Sequence, residues 1–266
     1  MRTEVSVQRQ DGEAQSDPHL SNPPMTPEES LAEAERVIRS IVASRYDRPS
    51  LVASIASEVG AEIVEGCIPP GHDLNTVELS KQYKTSRTPV REALILLEAE
   101  GLVEIPPRKR PRAKVHTIEE VREVYRTRAA LLAFVAGEVA KLADEKDIAT
   151  LRGVLEEMSA ASRRDDIRAY IWLSVKFNDY NTQIARNSTV KRIIDSLLLR
   201  TLAIRRLNLS QPSRFEQSLA DHIRLVDAYE NHDSYLAAAI LRANHVAALA
   251  TVEGYYKQTD SLVFKL

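Results

Sequence analysis

Between Ser86 and Leu97 a stripe of apolar residues, Val90, Ala93, Leu94 and Leu97, runs opposite two arginines four residues apart, Arg87 and Arg91. The i, i+3, i+4, i+7 spacing buries the first set on one face of a helix and leaves Ser86, Arg87, Thr88 and Arg91 on the other. The start of the helix is marked as well. Ser86 and Thr88 are both suitable N-caps, and Pro89 falls in the first turn, where a missing backbone N–H matters little. A helix with an apolar underside and a cationic top needs support below and solvent or a polyanion above, so its neighbours decide how it is used.

Upstream, 52–64 is apolar at helical spacing through Val52, Ile55, Val59 and Ile63, and Gly66 follows it. After the loop Cys67-Ile68-Pro69-Pro70-Gly71, residues 76–83 make a second short helix with Val77, Leu79 and Tyr83 for packing. Only Lys84-Thr85 then precede the third, which is helix-turn-helix spacing. Downstream, Gly101 stops the helix, Leu102-Val103-Glu104-Ile105 alternates as a strand does, and Ala113-Lys114-Val115 can pair with it. The intervening Pro106-Pro107-Arg108-Lys109-Arg110-Pro111-Arg112 forms a charged hairpin tip, a wing. The whole chain has a formal charge of −2 and so points to no polyanion partner. Locally the balance differs: residues 81–115 hold nine Lys or Arg against four Glu, whereas 50–80 hold five acids and no Lys or Arg. Cations gathered in this way neutralise phosphates, while a helix of this kind reads bases in the major groove. Arg87 and Arg91 are long enough for guanine edges or for flanking phosphates, and both roles stay open for each.

On these residues, 50–116 resembles the winged helix-turn-helix of the GntR family of bacterial transcription regulators. Pro69-Pro70-Gly71, Ser86-Arg87-Thr88-Pro89-Val90-Arg91-Glu92-Ala93-Leu94 and Leu97-Glu98-Ala99-Glu100-Gly101-Leu102-Val103 stand in that family's order and spacing. Thr85 stands where an apolar residue is common, and the wing carries Pro111 but lacks the usual glycine. The resemblance implies a homodimer on a near-palindromic double-stranded DNA operator, with the wing in the minor groove. The DNA-binding set is then Ser86, Arg87, Thr88, Arg91, Arg108, Lys109 and Arg110.

From Thr117 onward the chain reads as helix after helix: 119–142, 146–162, 164–186, 190–207, 214–231 and 234–259, with Pro212 the one proline inside. No strand alternation interrupts them, so a helical bundle is expected. Residues 1–26 are polar, offer little to bury and are expected to be disordered. Residues 27–44 can form a helix with Leu31, Ala34, Ile38, Ile41 and Val42 on one side, to pack on the winged helix or on a second subunit. The N-terminus lacks the basic start and apolar core of a signal peptide, and no segment approaches about 18 uninterrupted apolar residues. The single cysteine, Cys67, excludes an internal disulfide and a CxxC metal pair. A cytoplasmic protein without membrane contact is expected. Eight glycines form no phosphate-cradling loop, and GxSxG is missing, which weighs against the contrasting reading, a hydrolase-type enzyme.

Several polar groups interrupt apolar stripes in the helical region. Arg128 lies among Val121, Val124, Leu131 and Val135; Ser174 and Asn178 continue Ile167, Ile171 and Phe177; His222 sits among Leu219, Ile223 and Val226; His245 lies between Leu241 and Leu249. A buried polar side chain is costly unless satisfied, so four helices turning such groups inward suggest a cavity. Residues 117–255 resemble the FCD effector domain of the FadR subfamily, which implies a divalent metal held by an Asp and a His on one helix and by two later histidines. Here His222 and His245 match the later pair, Ser174 and Asn178, around the retained Phe177, stand at the Asp and His positions, and Leu132 replaces an acidic residue common shortly after the position of Arg128. Hydroxyl and amide oxygens are weak ligands, so no cofactor is expected beyond weak divalent metal binding. Arg128, Ser174, Asn178, His222 and His245 are instead the candidate effector-binding residues, for a small-molecule carboxylate such as an organic or sugar acid.

The expected architecture is therefore mainly α: an N-terminal extension (1–49), a winged helix-turn-helix with a small β-hairpin wing (50–116), an all-α helical-bundle effector and dimerisation domain (117–259), and a tail (260–266). The expected function is sequence-specific DNA binding modulated by an effector. The alternative is an effector-independent regulator with a degenerate ligand site.

Overall fold

The computed structural model describes residues 23–45, 50–211 and 214–259. The expected disorder of 1–26 falls largely, and the 260–266 tail wholly, outside these residues. The elements run α1 (Pro27–Arg45), α2 (Ser50–Glu65), α3 (Thr76–Gln82), α4 (Arg87–Ala99), β1 (Val103–Glu104), β2 (Arg112–Ala113), α5 (Ile118–Leu142), α6 (Glu145–Arg163), α7 (Ile167–Ile184), α8 (Ser188–Leu209), α9 (Arg214–Glu230) and α10 (Ser234–Thr259). This is the mainly α fold expected, with a two-stranded antiparallel wing in the register Val103↔Ala113 and Glu104↔Arg112.

The stripe Val90, Ala93, Leu94 and Leu97 is buried under α4 as its spacing requires. The helix begins at Arg87, which makes Ser86 the N-cap rather than Thr88. Ser86 has extended backbone angles, and its hydroxyl makes no capping hydrogen bond. At the other end Gly101 adopts a left-handed φ of +78° and turns the chain into β1. In the wing Arg108 itself takes the left-handed conformation, φ +61°, at the tip where the glycine is missing, and Lys109 N closes the turn on Pro106 O at 3.1 Å. Capping also explains where the later helices start. α5 opens on a capping box between Thr117 and Glu120, and α6 on one between Asp144 and Asp147. α7 begins at Ile167, later than the 164 read from the sequence. Arg164 caps the end of α6, Asp165 turns with φ +54°, and the Asp166 carboxylate accepts from Ala169 N at 3.0 Å.

Helix α1 forms on the residues expected and packs on the winged helix, chiefly on α2. The resulting core does not stop at residue 116. Ile38 and Ile41 of α1, Val59 of α2 and Leu97 of α4 belong to one apolar cluster with Trp172 and Val175 of α7 and Leu198, Leu199 and Leu202 of α8. A buried chain of hydrogen bonds crosses the same junction: Trp172 Nε1 donates to Ser30 Oγ at 2.9 Å, and Ser30 Oγ donates to Glu65 Oε2 at 2.9 Å. Gly60 marks the tightest point. A Cβ there would stand 3.0 Å from Leu97 and 3.2 Å from Ile38, so its lack of a side chain lets α1 and α4 close on α2.

The rest of the bundle encloses a second apolar cluster, from Leu132 on α5 to Leu241 on α10, with Phe177 and Tyr170 of α7 at its centre. α10 packs lengthwise along α5. It is long and apolar enough to cross a membrane by length and composition, yet only 39% of its most apolar stretch is buried. That follows from an outward face that is itself apolar, with Leu236 and Val246 exposed.

Candidate nucleic-acid interface and a cationic cavity

Ser86, Arg87, Thr88 and Arg91 stand exposed together at the start of α4, and Arg108, Lys109 and Arg110 stand exposed at the wing tip. The nearby cations behave differently. Arg112 pairs with Glu104 across the wing, and Lys114 Nζ reaches Glu120 Oε1 at 2.7 Å. Arg87, Arg91, Arg108, Lys109 and Arg110 form no ion pair among the described residues. The start of α4 and the wing tip therefore each carry unpaired charge, and the uncapped N-terminal turn of α4 adds the positive end of a helix dipole.

The five polar groups singled out in the helical region do come together. Arg128, Ser174, Asn178, His222 and His245 all line one cavity of about 40 Å³, between α5, α7, α8, α9 and α10. Sequence reasoning missed most of the remaining polar lining, above all Arg205 and Arg214. Arg205 turns inward, and its Nη1 donates to Ser174 Oγ at 2.9 Å. Its neighbours on the lining are Thr201 and Asn208, an i, i+4, i+7 polar stripe on α8 that was the available signal. Arg200 packs over Gly101, where a Cβ would stand 2.8 Å from its Nε. The side chain of Arg206 lies outside the described residues. Arg214, 3% exposed, donates from Nη2 to Asn244 O at 2.8 Å and Asn244 Oδ1 at 3.3 Å.

Three guanidiniums thus share a small cavity, and none forms an ion pair among the described residues. Burial draws the pKa of Arg128 down to about 9, with Arg205 adding like-charge repulsion. Arg205 and Arg214 are drawn down too, chiefly by burial. The nearby acids are engaged elsewhere: Asp221 accepts from Asn244 Nδ2 at 2.9 Å and Arg224 Nη2 at 2.6 Å, and Asp195, whose charge reaches Arg128, pairs with Lys191 at 3.1 Å. Arg214 Nε and Nη1, Asn178 Oδ1, Asn208 Oδ1 and Tyr125 OH are buried without hydrogen-bond partners. Unmade bonds of this kind cost about 1–3 kcal/mol each, and a natural fold keeps them clustered where something else makes them.

Both histidines are neutral. Burial holds His222 at a pKa of about 4, and burial followed by Arg128 and Arg205 holds His245 at about 3. Each Nδ1 lies against a carbonyl that can only accept, Ser218 O at 2.6 Å and Leu241 O at 3.0 Å, so Nδ1 carries the proton and Nε2 the lone pair. Phe177 meets the His222 ring edge-on, with centroids 5.0 Å apart.

This donor set does not fit a divalent cation. Ser174 Oγ donates to Ile171 O at 2.7 Å while accepting from Arg205, and Asn178 Nδ2 donates to Ser174 O at 2.8 Å. Leu132 lies in the apolar core. No group of three or more His, Cys, Asp or Glu able to hold a metal exists among the described residues. Where the FCD resemblance places a metal on a carboxylate, a guanidinium stands on a serine.

Comparison with known proteins places the two regions of the chain. Residues 51–111 match the model of the bacterial regulatory proteins, gntR family, and residues 123–247 match that of the FCD domain. The chain is 28% identical over 204 residues to the "Probable D-xylose utilization operon transcriptional repressor" of Paenarthrobacter nicotinovorans, covering 77% of this chain and 89% of that protein. It is 27% identical over 186 residues to the gluconate operon transcriptional repressor of Bacillus subtilis (strain 168), covering 69% and 73%. Among solved structures, E. coli McbR/YncC superposes with a TM-score of 0.64 at 20% identity, over 78% of this chain and all of that one. The relatives are transcriptional regulators, not enzymes.

Proposed function

This chain belongs to the GntR family of bacterial regulatory proteins, is a DNA-binding transcriptional regulator with an FCD domain, and from that premise we propose that a small carboxylate bound in the cationic cavity shifts its operator affinity. Residues 50–116 hold a near-palindromic operator through Ser86, Arg87, Thr88 and Arg91 in the major groove and through Arg108, Lys109 and Arg110 at the wing. Residues 117–259 bind the effector and join two copies. Paired recognition helices must meet grooves one turn apart, which requires a homodimer. The outer face of α10, where Tyr235, Leu236 and Val246 are exposed, is a fitting seam for it. The site of action is the cytoplasm, where the operator lies.

The observation that carries the effector reading is a set of three guanidiniums without carboxylate partners, Arg128 and Arg214 buried and Arg205 half-buried. An organic or sugar acid supplies the missing charge, and its oxygen takes an orphaned donor of Arg214 in a charge-assisted hydrogen bond. Neutral His222 and His245 and the Asn178 amide complete the hydrogen bonding. The gluconate operon repressor among the relatives is named for a sugar acid, which is in keeping with the same class. A second reading, an effector-independent regulator, draws on the small volume of the cavity, about 40 Å³.

Mobility-shift titration tests both halves. Arg87→Ala with Arg91→Ala should abolish specific operator retention, at a cost of about 1–3 kcal/mol for each residue that reads a base. A wild-type complex that ignores every acid in a panel running from acetate to gluconate leaves the effector-independent reading standing.

A further inference from the structure

Helix α8 belongs to both halves of the chain. Its Leu198, Leu199 and Leu202 lie in the apolar cluster that holds Val59 of α2 and Leu97 of α4. Interleaved with them and continuing along the helix, Thr201, Arg205 and Asn208 line the cationic cavity. A packed helix is a stiff element, so a displacement that begins at the cavity is carried along it into the core under the recognition helix.

Two of the cavity's cations fasten this helix. Arg128 of α5 donates from Nη1 to Ile194 O at 3.1 Å, and Arg205 of α8 donates from Nη1 to Ser174 Oγ of α7 at 2.9 Å. Both acceptors are neutral oxygens, and a guanidinium prefers an acceptor that matches it in charge. An anion in the cavity therefore draws both ties away from α8. At its other contact α8 meets the DNA-reading unit through Arg200. The Nε, Cγ and Cδ of Arg200 stand 2.8, 3.1 and 3.2 Å from the place a Cβ of Gly101 would take. Gly101, with its left-handed φ of +78°, is the turn between α4 and β1, so Arg200 bears on the backbone from which recognition helix and wing both project. Its charge also reaches His116, in the link from β2 to α5. Arg200 holds this place at a cost, since its Nε is buried there without a hydrogen-bond partner.

We propose that α8 relays the state of the cavity to the DNA-reading unit, with Arg200 as the positioning residue through which it bears on the Gly101 turn. This rests on the proposed reading that the cavity governs operator affinity, and it adds the route and the residue. When Arg128 and Arg205 turn to an anion, α8 shifts against α5 and α7. Arg200 then moves the turn at the end of α4, which re-aims the recognition helix and the wing together.

A double-mutant cycle on the full chain tests the relay without a ligand. Arg205→Met cuts the tie to Ser174 and Arg128→Met the tie to Ile194 O, so each leaves α8 released. Arg200→Ala opens a gap over Gly101, so that α8 moves without pushing on the turn. In fluorescence anisotropy with a labelled operator duplex, each methionine variant should change operator affinity at least fivefold in the otherwise unaltered chain. In the Arg200→Ala background the same substitution should change it less than twofold. Affinity lost through poor folding would add to the effect of Arg200→Ala instead of vanishing on it. Should one methionine variant fail to fold, the other makes the same comparison. Equal changes in the two backgrounds overturn the relay, and so does operator affinity that neither methionine variant alters. Calorimetric titration of the wild type with acetate and gluconate reads the carboxylate proposal separately. Acids that bind beside an inert cycle sink the relay alone, whereas a coupled cycle beside acids that never bind keeps the relay and removes the carboxylate.

Discussion

Replacing Arg214 by Met should make the ligand-free protein more stable and deaf to acids. The side chain leaves two buried donors, Nε and Nη1, without partners, a cost of about 1–3 kcal/mol each. It also places a cation at the first residue of α9, against the helix dipole, which adds about 0.3–1 kcal/mol. Against this stand its bonds to Asn244 O and Oδ1, at 2.8 and 3.3 Å, together contributing about 1.5–3 kcal/mol. Met fills a similar volume and asks for no partners. The balance is a gain of about 1–3 kcal/mol, which in a chain of this size raises the melting temperature by roughly 3–8 °C. Differential scanning fluorimetry in Tris chloride, free of carboxylates and phosphate, reads it directly. Adding gluconate should raise the wild type and leave the variant where it was. A variant that melts well below the wild type and still responds to gluconate would show that Arg214 is an ordinary structural residue, and the cluster argument would fail.

Acid should unfold the protein through its neutral histidines. Burial places His116 and His222 at a pKa of about 4 and His245 at about 3, all below the ordinary value of about 6.5. The unfolded chain therefore takes up protons first, so this stability is complete above about pH 6.5 and is lost as the pH falls toward the folded values. Each histidine loses about 2 kcal/mol between pH 7.5 and pH 5. Glutamine at all three positions should flatten urea-midpoint profiles over that range, and an undiminished slope would refute the assignment. On the outer face of α10, Val246→Asp should convert a dimer to a monomer in light scattering and weaken operator binding by at least tenfold, while circular dichroism stays unchanged; a dimer that persists moves the seam elsewhere.

The recognition helix was legible because everything that defines it is local: one apolar stripe, one proline and one terminal glycine within fifteen residues. Arg128, Ser174, Asn178, His222 and His245 were legible for a related reason, since each interrupts a regular apolar stripe and so stands out against its own helix. Arg205 and Arg214 had no such contrast. Arg205 has basic neighbours at 200 and 206, and Arg214 opens a helix just after Pro212, where a polar residue is unremarkable. For Arg205 the stripe with Thr201 and Asn208 was the one local sign, and the direction it faces depends on how α8 docks; for Arg214 local spacing encodes nothing. The same holds for α1. Its apolar side was readable, but its second neighbour, the α7–α8 edge of the helical region, is a matter of tertiary packing. The wing's missing glycine was visible, and its solution, a left-handed Arg108, was not.

The bare backbone of Gly60 has a consequence for signalling. Ile38 and Leu97 both crowd the place a methyl group would take there, at 3.2 and 3.0 Å, so α1 and α4 share a bearing on α2 without play. Interiors packed at crystal density do not compress, and a shift of a few tenths of an ångström on one side is handed on to the other instead of being lost between them. A methyl group added at that point would act as a permanent shim, setting the reading head of the regulator at one angle whatever its pocket holds.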